Sequence, residues 1–330
     1  MLLEGKCLGK EYPRRNRTFA WRRCSTLASP YFGVMREITE KSTVAPALTT
    51  SLKRWIDAVL YSSTWLAAAA VGLTWATFLF WGVHIPLRLA VLIFTATLFL
   101  YNLDSVLPYK YSQQLVLSER KLWMIQHRRE LFLLALATLV MAGVLFLLDG
   151  WAHLTLFLGH LMAISLLYSL PLVRVRGRWR ALRDMPLLKV FLIAYVWAAI
   201  TVWVPALYLS KALTSPVLLL LFCRRFFFIL ALAFVFDIRD YTKDRLSGTY
   251  TFPGLFGVKA TKWVALTALV ISNLLVPQSV PYWHIPLLLL PSVLTAAVIW
   301  YADETRPDYY FALLADGMLL VQFLVVYWAV

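Results

Sequence analysis

The sequence predicts an all-α protein, a polytopic membrane helical bundle of about nine transmembrane helices with cytoplasmic cap loops. Of its 330 residues, 61% are apolar or aromatic and only 15% are charged, whereas soluble globular chains carry about 45–50% apolar and about 25% charged residues. Runs of about 20 predominantly apolar residues recur along the chain, and each is long enough to cross a hydrocarbon core about 30 Å thick. These two observations exclude a soluble globular protein.

Nine apolar segments are the candidate transmembrane segments, numbered in chain order as spans 1 to 9. They run over approximately 56–81, 86–104, 130–148, 151–172, 188–210, 216–236, 261–279, 284–302 and 309–329. Several of these segments have interruptions, such as Pro205, Pro286 and Pro291. Membrane helices tolerate such residues where neighbouring helices satisfy the freed backbone groups, so the prolines do not argue against the spans.

The net charge of +15 is distributed unevenly between the loops, because lysines and arginines concentrate before span 1 and after spans 2, 4 and 6. The positive-inside rule then predicts a cytoplasmic N-terminus and an outer C-terminus, in a membrane that we expect to be the bacterial cytoplasmic membrane. Membrane topology therefore explains the basic balance, and we expect membrane lipids and no nucleic acid as partners. The long loops after spans 2, 4 and 6 are where we expect the chemistry.

The domain organisation follows from a change in composition near residue 50, where a polar, arginine-rich segment gives way to apolar segments. Residues 1–50 form a basic N-terminal extension that we expect to be disordered, and residues 51–330 form the transmembrane domain. The extension has no apolar segment of the kind that a secretory signal requires. The open alternatives are a tail near anionic lipid, a transit peptide, and a start of translation at Met35.

Three aspartates, Asp237, Asp240 and Asp244, follow span 6 in the stretch FDIRDYTKDR. If the helix of span 6 continues through them, a rotation of about 100° per residue places the three carboxylates within about 60° of arc. Like charges at these spacings repel each other, so a cation must offset them.

Two sources of that cation are open. The first is a solvated helix end on which the acids pair with the bases of the same segment, Arg239, Lys243 and Arg245. The second is Mg²⁺, which prefers oxygen ligands and keeps open positions for substrate phosphates. The one-faced spacing favours Mg²⁺, because the three bases are expected to point elsewhere around the helix.

The stretch FDIRDYTKDRLSGTYTFPGLFG resembles the second aspartate-rich motif of the UbiA-type membrane prenyltransferase superfamily, D-I-R-D-x-x-x-D-R-x-x-G-x-x-T-x-P-x-x-x-G. The chain supplies the motif in register with Asp237, Arg239, Asp240, Asp244, Arg245, Gly248, Thr251, Pro253 and Gly257. The resemblance covers about residues 52–330. It implies a nine-helix bundle that moves a prenyl group from a prenyl diphosphate to a lipophilic, often aromatic, acceptor.

The resemblance also implies a magnesium cofactor, because the metal and nearby bases would neutralise the departing diphosphate. Asp240 and Asp244 would be metal ligands with Asp237 in support, and Asn102 would complete the metal site from span 2. The resemblance gives Arg239 a catalytic role and Arg245 a role in binding substrate. Arginine suits both roles because its guanidinium grips phosphate in a bidentate manner.

The first motif of the family, N-x-x-x-D-x-x-x-D at the end of span 2, is incomplete in this chain. The stretch YNLDSVLPYKY supplies Asn102, but Val106 and Lys110 stand at the next two positions. Asp104 is about 200° around the helix from Asn102, on another face. Either Lys110 contacts the diphosphate directly as a catalytic point charge, or the chain is a noncatalytic membrane protein that keeps the fold to bind a lipid or an assembly partner.

Four further residues are candidates for the site. Tyr168 and Ser169 match a Tyr-Ser pair that approaches the diphosphate in the family, which implies a catalytic role for Tyr168 and substrate binding for Ser169. Lys189 opens span 5 and either binds substrate in the cavity or snorkels to the membrane interface. Asp57 lies inside span 1, where an acid is costly unless it faces protein or water, so it is a candidate for the acceptor side.

The other charged residues near the spans receive simpler expectations. We expect at least one of Arg224 and Arg225, deep in span 6, to face the cavity, and Asp316 in span 9 to serve helix packing. We expect surface charges on the outer side at Asp303, Glu304 and Asp308.

Overall fold

The computed structural model describes residues 47–106, 118–148, 154–171, 173–175, 178–185, 187–247, 249–275 and 285–329. The chain divides into two compact units, residues 1–51 and residues 52–330. Of the first unit the structure describes residues 47–51, which form the beginning of a helix. The predicted extension over residues 1–50 therefore lies almost wholly outside the described residues, as does Lys110.

The regular elements of the described residues are helices and one short hairpin. The helices are α1 (Ala47–Tyr61), α2 (Thr64–Leu79), α3 (Leu87–Val106), α4 (Glu119–Gln126), α5 (Arg128–Leu148), α6 (Thr155–Ser169), α7 (Leu188–Ala198), α8 (Val204–Tyr208), α9 (Pro216–Arg239), α10 (Tyr241–Ser247), α11 (Phe252–Phe256), α12 (Val258–Leu274), α13 (Ile285–Tyr301) and α14 (Asp316–Ala329). The antiparallel strands β1 (Val173–Val175) and β2 (Arg178–Arg180) and a 3₁₀ turn at Leu182–Asp184 precede α7. π-helical turns at Ala199–Trp203 and Tyr310–Ala315 join α7 to α8 and lead into α14.

The all-α membrane bundle that the sequence predicts is confirmed. Within the described residues, five helices are long and apolar enough to cross a membrane: Leu87–Val106, Arg128–Leu148, Leu188–Tyr208, Pro216–Arg239 and Tyr310–Ala329. The bent pair of α1 and α2 would make a sixth, and Thr155–Ser169 and Pro286–Tyr301 are shorter apolar helices. The count of nine spans stays a prediction.

Span 1 is broken rather than continuous. The helices on either side of the break form an angle of 56°, and Ser63 between them has a φ of 64°, a left-handed conformation that is strained for a residue with a side chain. Asn102 fixes the break from α3, because its Nδ2 donates to the carbonyl of Ser62 at 2.9 Å and to that of Leu98 at 2.8 Å. This buried amide therefore has a structural role.

The helix α9 is the centre of the bundle and packs against α7 and α12. Two buried arginines tie it to its neighbours. Arg224 Nη1 donates to the carbonyl of Ser272 at 3.4 Å, and Ser272 Oγ donates back to the carbonyl of Arg224 at 2.8 Å. Arg225 Nη1 donates to Gln322 Oε1 at 3.4 Å. The expectation that one of these arginines faces the cavity is wrong, because both guanidinium groups bond to α12 and α14 instead.

The helices α2 and α14 approach each other closely at Gly72. A Cβ atom at this position would lie 3.0 Å from the ring of Phe323, closer than ordinary van der Waals contact between carbon atoms. Glycine is therefore required by the packing of these two helices.

We predict that Gly72→Val lowers the stability of the bundle by about 1–3 kcal/mol, the usual cost of overpacking. The measurement is thermal unfolding of the purified protein in detergent. Gly143→Val is the matched control, because a Cβ there would meet nothing within 4 Å. Equal losses in the two variants would show that valine in a helix, and not contact with Phe323, causes the effect.

Candidate functional site

A cavity of about 960 Å³ runs from the end of α9 into the bundle. Its deeper lining is mainly apolar and includes Leu66, Leu192, Trp197, Ile229, Leu232 and Leu319. Its opening is lined by both signs of charge, and we name the charged mouth by six of these residues: Arg120, Lys121, Lys189, Asp240, Lys243 and Asp244. A mainly apolar pocket with a few convergent polar groups is the usual form of a small-molecule site, and this one suits a molecule with one charged end.

The three aspartates of the second motif converge on a single cation, the ammonium of Lys189. Its Nζ lies 2.9 Å from Asp237 Oδ1, 3.8 Å from Asp240 Oδ2 and 3.5 Å from Asp244 Oδ2. The backbone differs from the expected unbroken helix, because α9 ends at Arg239 and Asp240 is its C-cap, with a φ of −89° and a ψ of 9°. The backbone N–H of Asp244 still donates to the carbonyl of Asp240 at 2.8 Å, so one turn carries the carboxylates across the break.

Lys189 projects into the cavity rather than snorkelling to the interface. It is the second residue of α7, and its side chain is only 16% exposed. The residue before this helix, Leu187, has a φ of 59°, and its N–H donates to the carbonyl of Tyr250 at 3.1 Å. The segment after α10 therefore fixes the start of α7 and the direction of the lysine.

Asp240 has a second basic partner, Arg239. The guanidinium donates from Nε to Oδ1 at 3.1 Å and from Nη2 to Oδ2 at 3.2 Å, and it lies 4.9 Å from the ring centre of Phe236. Burial would raise the pKa of Asp240, but Arg239, Lys243 and Lys189 together outweigh burial and hold this pKa well below its usual range. Asp240 is therefore a carboxylate at neutral pH.

Asp244 differs from Asp240 in its electrostatics. Burial raises the pKa of the Asp244 carboxyl, although Lys189 opposes the shift. The interpretation that all three acids pair with bases of their own segment is thus wrong in part. Arg239 pairs with Asp240, while the ion pairs of Asp237 and Asp244 in the described residues are with Lys189.

The opposite wall of the charged mouth is basic and comes from the first turn of α4. Arg120 and Lys121 line the cavity there, and the ammonium of Lys121 is within hydrogen-bonding reach of that of Lys243 on α10. Burial, followed by Lys243, lowers the pKa of Lys121 to about 7. The sequence reasoning missed this wall, although the basic pair in SERK after span 2 was a signal that could have identified it.

The turn between α13 and α14 also reaches the charged mouth. Thr242 Oγ1 donates to Glu304 Oε2 at 2.6 Å, and the N–H of Arg120 donates to Asp308 Oδ2 at 2.8 Å. The expectation that these acids lie at the opposite end from the aspartate motif is wrong. In the predicted order of nine spans, eight would precede this turn, and alternation would return the chain to the end reached after spans 2, 4 and 6. Asp316, expected only to pack, lines the cavity as well.

Other predicted site residues divide into those that line the cavity and those that do not. Tyr168 and Ser169, at the end of α6, line it beside Lys189. Asp57 lies elsewhere and accepts a hydrogen bond from Tyr309. Arg245 is exposed on α10 and does not line the cavity.

At the two positions of the incomplete first motif that the structure describes, Asn102 and Val106, no carboxylate enters the cavity. Asn102 is fully buried at the break in span 1 and does not line the cavity. Val106 packs against Met124 and Leu131. Asp104 lines the cavity, where Arg183 lies 3.6 Å from its Oδ1.

A divalent metal fits this donor set only in part. Three carboxylates offer the oxygen ligands that Mg²⁺ prefers, and they share one focus, which the Lys189 ammonium occupies. In the described ranges, however, no group of three or more His, Cys, Asp or Glu residues has the geometry of a metal site. The residues therefore fit one oxygen-ligated cation if Lys189 moves aside, without a second set of carboxylates from α3.

The chain resembles one protein family and two solved structures. A model described as the UbiA prenyltransferase family matches residues 125–313. A solved structure concerning digeranylgeranylglyceryl phosphate synthase in membranes shares 13% identity with a TM-score of 0.48, over 82% of this chain and 97% of that one. The apo structure of a UbiA homolog from Aeropyrum pernix K1 shares 16% identity with a TM-score of 0.49, over 82% and 96%. Among curated protein sequences, none matches the chain.

We predict that Lys189→Met destabilises the protein by about 3 kcal/mol, because removing one partner of a buried ion pair leaves uncompensated charge. Mg²⁺ should restore part of the loss, since a divalent ion can take the position of the ammonium between the carboxylates. The measurement is the melting temperature in detergent with Mg²⁺ and with EDTA.

Lys211→Met is the control for this prediction, because Lys211 is exposed and lies outside the cavity. A rise in melting temperature with Mg²⁺ that is the same in the wild type and both variants would contradict the idea that the three aspartates accept a divalent cation.

Proposed function

The chain belongs to the UbiA prenyltransferase family, and we propose that it transfers an isoprenyl group from a prenyl diphosphate to a lipophilic acceptor. The observation that carries the proposal is the cavity, in which converging aspartates and bases stand at the opening of a mainly apolar channel. A prenyl diphosphate likewise has a charged part and an apolar part, because a negatively charged diphosphate head is joined to a hydrocarbon tail. The tail would gain about 0.8 kcal/mol per buried CH₂, so the channel supports binding as well as orientation.

The diphosphate would lie at the charged mouth. Lys189 and Arg239 would face it from one side, and the hydroxyls of Tyr168 and Ser169 would donate hydrogen bonds to it from α6. Arg239 is held by Asp240 and by the ring of Phe236, so its charge is positioned before substrate arrives. Positive charge that is fixed where negative charge develops is an effective form of catalysis.

Asp240 and Asp244 would hold Mg²⁺, with Asp237 in support. When bound, the metal would supply Lewis-acid stabilisation of the departing diphosphate. The low pKa of Asp240 supports its role, because the carboxylate is already ionised. Lys189 would leave the position between the three carboxylates and pair with phosphate oxygens at the charged mouth instead.

The acceptor would be lipophilic and would meet the allylic carbon where the apolar channel joins the charged mouth. Trp197 and Tyr101 line this channel, and Trp197 Nε1 donates to Tyr101 Oη at 3.0 Å, so both rings are held in place. Their apolar faces would exclude water from the allylic cation, so that the cation reacts with the acceptor and not with water. An aromatic acceptor would find flat partners there.

The orientation of the integral membrane protein belongs to the same proposal. The charged mouth would face the cytoplasm, because the basic loops after spans 2, 4 and 6 lead to this end of the bundle. The prenyl diphosphate and Mg²⁺ would then both reach the site from the cytoplasm.

One observation favours a second candidate function, a noncatalytic protein that binds a lipid or an assembly partner. Val106 stands where the first motif of the resembling family carries an aspartate, and it is buried among apolar side chains. A protein of this kind would keep the cavity and bind an amphiphile there without breaking its diphosphate bond.

Incubation of the purified protein with labelled farnesyl and geranylgeranyl diphosphate and Mg²⁺ tests the proposal. We expect binding, and Asp240→Asn and Asp244→Asn should each weaken it at least about tenfold, since even residues behind a metal ligand cost about 10- to 100-fold in metal affinity. Asp303→Asn is the control, because Asp303 is exposed at the same end and lies outside the cavity.

The outcomes separate the two candidate functions. Absence of binding for every prenyl chain length would contradict the transferase. Binding that the two asparagine variants leave unchanged would contradict the metal assignment. Binding without consumption of the diphosphate, in the presence of a membrane lipid extract as acceptor, would favour the noncatalytic protein.

A further inference from the structure

The helix α1 carries an exposed apolar stripe on one face. The stripe consists of four exposed side chains with helical spacing, Leu52, Trp55, Ile56 and Val59. At a rotation of about 100° per residue, these positions fall within about 100° of arc. We propose that the stripe lies in the membrane interface beside the charged mouth, and that Lys53 and Arg54 on its flanks bind the headgroups of anionic lipids. This lipid-binding surface does not depend on the proposed transferase.

The first argument is the short connection between α1 and a helix within the membrane. Only Ser62 and Ser63 separate α1 from α2, the uncharged part of span 1, so the end of α1 lies near the membrane surface. A continuous helix from Leu52 to Leu79 would be about 42 Å long at about 1.5 Å per residue, which exceeds a hydrocarbon core of about 30 Å. The angle of 56° between the two helices therefore turns α1 out of the direction of the span and towards the interface.

The second argument is that contacts with the protein fix the rotation of α1. Its buried residues Leu60 and Tyr61 are on the other side of the helix from the stripe. The ring of Tyr61 lies 5.8 Å from that of Trp123 on α4 and 5.9 Å from that of Tyr309. Tyr309 also donates a hydrogen bond to Asp57, which gives the one acid of this helix a partner in the protein. These contacts hold the helix with its stripe facing away from the bundle.

The third argument is the position of the two bases. Both Lys53 and Arg54 are exposed. Lys53 lies about 60° beyond Ile56 on one flank of the stripe, and Arg54 lies about 100° beyond Trp55 on the other. Long basic side chains in such positions keep their stems on apolar surface and extend their charges to the level of the lipid phosphates. Tryptophan favours the same membrane–water boundary, so the helix is complementary to a surface of negative headgroups.

A lipid surface fits the stripe better than a protein partner does. A stable protein interface takes about 20–30 residues from each side, whereas the stripe offers four apolar side chains. The membrane needs no second molecule to be recruited, because α2 already holds α1 beside it. A short tether of this kind gives a high effective concentration, so a small apolar surface is sufficient for binding.

The test measures the surroundings of the stripe in the full chain, reconstituted in lipid nanodiscs. Serine replaces the three cysteines of the sequence, and Ile56→Cys supplies one site for the fluorophore NBD. The quenchers are phosphatidylglycerol and phosphatidylcholine that carry a nitroxide in the upper acyl chain, at equal mole fractions. We expect both lipids to quench the label. Phosphatidylglycerol should be at least about fivefold more effective, which corresponds to about 1 kcal/mol for one basic residue near an anionic surface.

Two kinds of control keep the result specific. Arg245→Cys is the matched label site, because Arg245 is exposed on α10 and lies outside the cavity, and both lipids should quench it weakly. Lys53→Gln with Arg54→Gln should retain quenching by phosphatidylcholine at residue 56 and lose the excess for phosphatidylglycerol. Lys53→Arg with Arg54→Lys keeps both charges and should keep that excess.

Melting temperatures show whether the serine background and the labelled variants fold like the wild type. If Ile56→Cys does not fold, Leu52→Cys places the label on the same stripe and should give the same result. A photoactivatable cross-linker on the same cysteine identifies what covers the stripe, and we expect it to capture lipid.

Three outcomes would overturn the proposal while leaving the proposed transferase in place. The first is quenching on the stripe that is no stronger than at residue 245. The second is equal quenching by the two lipids at residue 56, because the bases would then select no anionic headgroup. The third is cross-linking mainly to residues 1–46 or to a second copy of the chain, which would show that protein covers the stripe.

Discussion

Three neighbouring carboxylates repel one another and require a cation beside them, and this requirement governs the arrangement of this end of the bundle. Asp237 at the end of α9, Asp240 at its cap and Asp244 on α10 lie close together at the membrane edge, where mutual repulsion is not fully screened. Lys189 meets all three, but it can do so only because α7 begins beside α10. The hydrogen bond from Leu187 to the carbonyl of Tyr250 fixes that start. The helix packing, the left-handed turn before α7 and the position of the cavity opening all serve this one ion cluster.

Composition and charge pattern were sufficient for the fold class, because apolar length and loop charge follow directly from the membrane as a solvent. Helix interruptions were harder to predict from the sequence. The break at Ser63 depends on a hydrogen bond from Asn102, forty residues further along the chain. The helix end at Asp240 likewise coincides with a long-range ion pair, to Lys189. Such breaks arise from tertiary contacts, which the local periodicity of the sequence does not predict.

The candidate site shows the same division between local and distant information. The one-faced spacing of the aspartates could be read from the motif, and so could the candidacy of Tyr168 and Lys189. The basic residues on α4 could not be assigned to the site from the motif, because Lys121 reaches the same cavity as Lys243 only through the tertiary fold. Asn102 was expected to be a metal ligand because it matches a position of the family motif. In the structure its side-chain amide donates a hydrogen bond to the backbone carbonyl of Ser62 instead. Residue identity alone does not show whether a polar group faces a ligand or the protein.

The tie between α7 and the segment after α10 has a consequence for motion. The carboxylates are on one side of that contact and their counter-ion is on the other, so any separation of the two helices also separates unlike charges. Separating α7 from α10 would leave the three carboxylates without the Lys189 ammonium, so such a movement would cost less when another cation takes the position of the ammonium. Movement of α7 relative to α10 at this end of the bundle would therefore depend on charge more than on steric bulk.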